Sequence, residues 1–191
     1  MPLRDEPPDE LKRLPAAWYQ GHAWVHWTMT IHGRKRGWLD ATMHSQVREL
    51  VLHTCHRHHL ICAGYCLMPD HAHFLFMGIS ENADQIQAME FLRRAWNRLL
   101  RDRGVELQRQ SHDHVLVESE RDPQAFEDVV LYILNNPVRA SLAEEREEWP
   151  YLGAVAAGYP DLDPREWKGW WSRFWSIHNK ETTANKNERP L

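Results

Sequence analysis

Hydrophobic and polar positions along the chain change period several times, and each change marks a predicted element. From Ala23 to Ile31, aromatic, β-branched and polar residues mix as in a first strand. Asp40 then stands as cap to a helix running to about His58, because Met43, Val47, Leu50, Val51 and Cys55 keep helical spacing. Leu60–Leu67 predicts a second strand, Met68-Pro69-Asp70 a tight turn, and His71–Met77 a third strand. Asp84 to about Arg103 predicts a second helix ended by Gly104, with Met89, Leu92, Trp96 and Leu99 as its apolar stripe. Arg94, Arg98 and Arg101 lie on its opposite face. His112–Val117 reads as a fourth strand, and Asp122-Pro123 opens a third helix with the stripe Phe126, Val129, Val130 and Ile133. Pro137 stops or kinks that helix.

Strand–helix–strand–strand–helix–strand predicts an α+β fold, a ferredoxin-like antiparallel sheet with helices on one face. The third helix and a tail holding Trp149, Trp167, Trp170, Trp171 and Trp175 are additions to it. Tryptophans can stack on bases or pack on a core, and packing is the expected use. The expected division is a flexible leader at 1–19, a domain at 20–155, a Trp-rich helical extension at 156–177 and a disordered tail at 178–191.

Composition narrows the function classes. The longest uncharged apolar stretch, Leu60 to Pro69, is about half of the roughly 20 residues a membrane span needs. No charged-then-apolar leader opens the chain, so secretion is not expected. Three cysteines, an odd number, fit a reducing cytoplasm. A net charge of −4 weighs against a nucleic-acid partner, although a global sum leaves room for a local basic face such as Gly33-Arg34-Lys35-Arg36-Gly37.

Candidate chemistry starts at Met68-Pro69-Asp70-His71-Ala72-His73-Phe74-Leu75-Phe76. Side chains alternate along a strand, so His71 and His73 share a face and can share one ion, while Ala72, Phe74 and Phe76 take the packed face. Two surface histidines in a chain with 13 is the plain alternative. Tyr132 and Asn136, four apart on the third helix, lie one above the other at the flank of its stripe. Two imidazoles and an amide oxygen form a mixed set that leaves room for water and phosphate oxygens, which suits Mg²⁺ or Mn²⁺. An ion there would polarise a phosphodiester and help ionise the Tyr132 phenol, whose ordinary pKa is about 10, for attack on phosphorus. A half-buried packing tyrosine is the competing reading of Tyr132.

Tyr65-Cys66-Leu67-Met68-Pro69-Asp70-His71-Ala72-His73-Phe74-Leu75 resembles the "HUH" segment of single-tyrosine, IS200-like transposases, and within them the REP-associated tyrosine transposases. Tyr132-Ile133-Leu134-Asn135-Asn136-Pro137-Val138-Arg139-Ala140 resembles their second signature, a tyrosine helix running into Asn-Pro-Val. The resemblance covers roughly residues 20–155. It implies a metal-dependent single-stranded DNA endonuclease and strand transferase acting on hairpins. Tyr132 would form a 5′-phosphotyrosine, and His71, His73 and Asn136 would hold Mg²⁺ or Mn²⁺. Arg34, Arg36, Arg94, Arg98, Arg101 and Arg139 are the candidate DNA contacts. The REP-associated type further implies a monomer; a cytoplasmic protein with no small-molecule cofactor is expected. Leu107, Val117 and Ser141 depart from the family pattern, which favours tryptophan, arginine and glycine there.

Two rivals remain open. One is a relative that recognises hairpins without cutting. The other is a zinc protein using Cys62, Cys66, His71 and His73, although four strand residues would separate its sulfurs by about 13 Å.

Overall fold

The structure is a computed structural model that describes residues 12–166 and 169–187. Three of the helices begin where an aspartate side chain accepts a free backbone N–H. Asp40 takes that of Met43 (2.8 Å), Asp84 that of Gln87 (3.0 Å) and Asp122 that of Gln124 (3.1 Å). The helices that follow are α1 (Ala41–Arg57), α2 (Gln85–Arg101) and α3 (Pro123–Leu134), with a single turn α4 (Asn136–Arg139) and a final α5 (Trp170–Asn187). Between them run β1 (Trp24–Thr30), β2 (Leu60–Leu67), β3 (His71–Gly78), β4 (His112–Val115) and β5 (Leu152–Val155).

All neighbouring strands are antiparallel, in the order β4-β1-β3-β2-β5. The first four in that order are the predicted ferredoxin-like sheet. The fifth went unread because Leu-Gly-Ala-Val is short and shows no polar alternation; pairing with β2 is what extends it.

Both faces of the sheet are covered, where helices on one face were expected. Val25, Trp27, Tyr65, Phe74 and Phe76 pack under α1 and α2. Ile61, Ala63, Leu75 and Met77 pack on the other face against Phe126, Val130 and Ile133 of α3 and Phe174 and Ile177 of α5. The reason lies in β2, where the register shifts between Cys62 and Gly64. A side chain at Gly64 would stand 3.4 Å from Val130 Cγ1, so α3 rests directly on bare backbone. The same shift sends Cys62 and Cys66 to opposite faces of the sheet, which removes the zinc rival.

The chain ends also differ from expectation. Residues 16–19 form a 3-10 turn whose Tyr19 is buried and donates a hydrogen bond to Asp113, so this part of the leader is anchored. α5 continues ten residues into the segment expected to be disordered. Ile177 is buried, His178 meets the Trp24 ring edge-on at 6.2 Å, and Tyr159 donates to Glu181 (2.8 Å). The tail aromatics pack: Trp170 stacks on Phe174 at 5.0 Å and Trp175 lies 5.8 Å from Trp24. The rest of the expected leader and tail, 1–11 and 188–191, and Trp167 lie outside the described residues.

Candidate active site

β3 leaves its turn with His71 and His73 on the face that carries α3. His71 Nδ1 meets Asp70 Oδ1 at 2.8 Å, and Asp70 also accepts from Arg34 (3.1 Å). Burial raises the Asp70 pKa, but these two hydrogen bonds outweigh it and hold the carboxyl below its ordinary value. His73 is 7% exposed. Its Nδ1 lies 3.1 Å from both Thr28 Oγ1 and His26 Nε2, and its Nε2 faces His71 Nε2 at 3.1 Å. Burial first, then coulombic coupling to His26, His71 and Arg139, hold the His73 pKa down to about 3. Burial and His114 bring that of His26 to about 4. Both rings are therefore neutral at pH 7, the form in which an imidazole can bind an ion.

α3 carries Tyr132 over this group. Its ring is 46% exposed and stands 6.5 Å from the His73 ring and 6.2 Å from that of His26, both edge-on. The helix stops at Asn135, and α4 turns Arg139 back so that its guanidinium lies 4.3 Å over the phenol ring. Asn136 donates its amide N–H to the carbonyls of Tyr132 (2.9 Å) and Ile133 (3.2 Å), which leaves Oδ1 as its available end. Among the described residues no hydrogen bond joins Asn136 to either histidine.

A family model for IS200-like transposases matches residues 20–120, just over half of the chain. The chain belongs to that family. A Haemophilus influenzae protein provisionally named a REP-associated tyrosine transposase is 24% identical over 157 residues, covering 74% of this chain and 85% of that one. A solved structure of a REP-associated tyrosine transposase bound to a REP hairpin matches with a TM-score of 0.62 at 16% identity, over 75% of this chain and 81% of that one. That likeness bears on the fold.

The family implies a divalent metal, and the histidines fit one. Asp70 Oδ1 is placed to accept a hydrogen bond from His71 Nδ1, the arrangement that would free Nε2, which faces His73, for an ion. The two Nε2 atoms, 3.1 Å apart, are close enough that His71 and His73 could hold one ion together. No cluster of three His, Cys, Asp or Glu suited to an ion occurs among the described residues.

The candidate arginines divide. Arg34, through Asp70, and Arg139, over Tyr132, belong to the site. Arg36 and Arg101 are exposed without an ion pair among the described residues. Arg101 lines a surface cavity of about 250 Å³ with His32 and Lys35 of the basic turn. Arg94 and Arg98 are exposed on α2, which packs on the sheet face opposite the histidines, and Arg94 is already paired with Glu90 (3.1 Å). Sequence reasoning missed His26 and Thr28. The signal was present: in Trp24-Val25-His26-Trp27-Thr28-Met29 the even positions share a face, and β1 pairs His26 with Leu75 and Thr28 with His73.

No described helix is long and apolar enough to cross a membrane.

Proposed function

We propose that this protein is a metal-dependent endonuclease and strand transferase acting on single-stranded DNA hairpins in the cytoplasm. Tyr132 is the nucleophile, and His71, His73 and Asn136 hold Mg²⁺ or Mn²⁺. The observation that carries this reading is the placement of Tyr132: an exposed phenol beside two mutually facing imidazoles, under an arginine. A bound divalent ion supplies polarisation of the scissile phosphate.

The phenolic oxygen forms the new P–O bond, and the bond from phosphorus to the 3′ oxygen breaks. The phenol gives up its proton and the departing 3′ oxygen gains one. A phosphotyrosine ester keeps the energy of the cut bond, so a 3′-hydroxyl can reverse the step without ATP. Arg139, whose guanidinium lies over the Tyr132 ring, would meet the phosphate charge, and Arg34, Arg36 and Arg101 are the further candidate strand contacts. Three free, buried cysteines suit the reducing compartment.

The decisive experiment is incubation with a pool of single-stranded hairpins and Mn²⁺, recovery of covalent protein–DNA adducts, and mapping of the linked peptide by mass spectrometry. An adduct on the peptide holding Tyr132 is the expected result. Hairpin binding with no adduct would instead make the protein a non-cutting hairpin binder.

A further inference from the structure

We infer that the cavity at the end of β1 receives one unpaired nucleotide of the strand that reaches Tyr132, with Lys35 and Arg101 on its phosphate and Glu106 on the amino group of its base. This deepens the reading of the protein as a single-stranded DNA enzyme and rests on it. The cavity holds about 250 Å³ and is lined by His32, Lys35, Arg101, Gly104, Val105 and Glu106. These residues come from two separate stretches, the turn after β1 and the end of α2 with the loop that follows it.

Charge points to an anion first. The chain carries 27 acidic side chains against 23 basic ones, so a cation has carboxylates to choose from. Arg13, Arg34, Arg94, Arg103 and Arg165 each take one. Lys35 and Arg101 are exposed and take none among the described residues. Two like charges bordering one cavity repel, and a phosphate between them turns that repulsion into attraction.

The rest of the lining suits a base. Gly104 stands at φ +65°, and a Cβ there would meet nothing within 4 Å, so bare backbone borders the cavity and a ligand can approach it closely. Val105, half-buried against the core, offers an apolar wall. Glu106 is the one acid on the lining, and it would only repel a phosphate on its own. Towards a base it has a use: a carboxylate accepts from the amino group of cytosine, adenine or guanine, and thymine has none.

Hydrogen bonding sets the cavity beside the candidate active site. At the end of β1, Ile31 donates its N–H to the Asp70 carbonyl (2.9 Å), and the next residue, His32, donates to that of Glu106 (2.7 Å). The turn carrying Asp70 and the loop carrying Glu106 thus flank one strand end, about 10 Å or two strand spacings apart. His71 follows Asp70 directly, and Arg34, next to Lys35, is ion-paired to Asp70 (3.1 Å). A single strand can therefore occupy both places.

The test uses the full chain, ¹⁵N-labelled and free of metal, titrated with dCMP, dTMP and inorganic phosphate. Backbone amide signals of Lys35, Gly104 and Val105 should move, with dCMP bound about 3- to 10-fold more tightly than dTMP and inorganic phosphate more weakly than either. Lys35→Gln with Arg101→Gln should abolish the dCMP shifts and flatten the log–log salt dependence of single-strand binding by about 1.4. Glu106→Ala should level dCMP with dTMP. All three side chains are exposed, and the wild-type titration decides even without the variants. Unmoved signals overturn the inference. Phosphate binding equal to that of dCMP, or a cytosine preference that survives Glu106→Ala, overturns the cavity as a nucleotide receptor. No metal is present, so the readout is independent of the chemistry at Tyr132: shifts without covalent adducts overturn the enzyme reading alone, and adducts without shifts overturn this one alone.

Discussion

Two tyrosine–histidine pairs occupy the two faces of the same sheet, and they have opposite fates. On the closed face, Tyr65 is buried with its hydroxyl 2.9 Å from His44 Nε2, and a Cβ at Gly153 would stand 2.7 Å from that oxygen. Burial pushes the Tyr65 phenol far above its ordinary pKa and brings His44 down to about 4. On the other face, Tyr132 stands half in solvent above His73 and His26. The residue types are alike; access differs. Tyr65 is sealed by α1 and β5, where no phosphate can reach it. Tyr132 sits on the outer flank of a helix whose inner side rests on the sheet, so its oxygen stays within reach of a substrate while its backbone is fixed.

The largest expected effect breaks this contrast directly. Tyr132→Phe should reduce adduct formation to background and change stability by no more than about 0.5 kcal/mol, since only an exposed oxygen is lost. Tyr65→Phe should leave adduct formation intact. Adduct formation that survives the first change and disappears with the second would reverse the assignment of the two tyrosines. His71→Ala with His73→Ala should also abolish cleavage while circular dichroism still reports a folded chain; unaltered cleavage would remove both histidines from the mechanism.

A smaller effect concerns stability on the closed face. Tyr65→Phe leaves His44 without its partner and should cost about 1–3 kcal/mol in denaturant unfolding. An unchanged midpoint would show the pair to be incidental.

The pH dependence sharpens the same comparison. His44 is neutral in the fold, with burial first and then Arg165 and Arg48 lowering its pKa from 6.5 to about 4. The unfolded chain therefore binds the extra proton first as pH falls. Its contribution is fully present above about pH 6.5 and is lost between there and about pH 4, amounting to about 1–2 kcal/mol after allowance for solvent screening. Stability curves of wild type and His44→Gln should converge across that window; parallel curves would show that His44 is not a source of the acid sensitivity.

The smallest effect lies just past the tyrosine helix. Ser141 has φ +55°, a left-handed conformation that costs a side-chain-bearing residue about 1 kcal/mol. This is the position where the family favours glycine, and the geometry supplies the reason. Ser141→Gly should stabilise the protein by about 0.5 kcal/mol, less than the strain because glycine also loosens the unfolded chain. A destabilised variant would indicate that the serine side chain is needed.

The other departures from the family pattern read differently. Leu107 is buried, its backbone N–H donating to Asn97 Oδ1 (2.9 Å), so an apolar side chain suffices there. Val117 is exposed, and nothing in the structure explains its choice over arginine.

The sequence determined by itself whatever depends on neighbours in the chain. Asp40, Asp84 and Asp122 mark helix starts because capping needs only the next three residues. His71 and His73 share a face because strand alternation is local. Asn136, expected on the same helix as Tyr132, instead opens α4 after the break at Asn135. Only the tertiary structure decided what depends on residues far apart. β5 exists because β2 offers an edge; α3 lies against the sheet because the shifted register at Gly64 leaves bare backbone under Val130. Residues 178–187 continue the helix because Trp175 and His178 are pinned to Trp24 and Glu181 to Tyr159. The same holds at the site. His26 and Thr28 are 45 and more residues from His73 in sequence, and only the pairing of β1 with β3 brings them to its ring. Local chemistry names the candidate ligands, and long-range register decides what stands behind them.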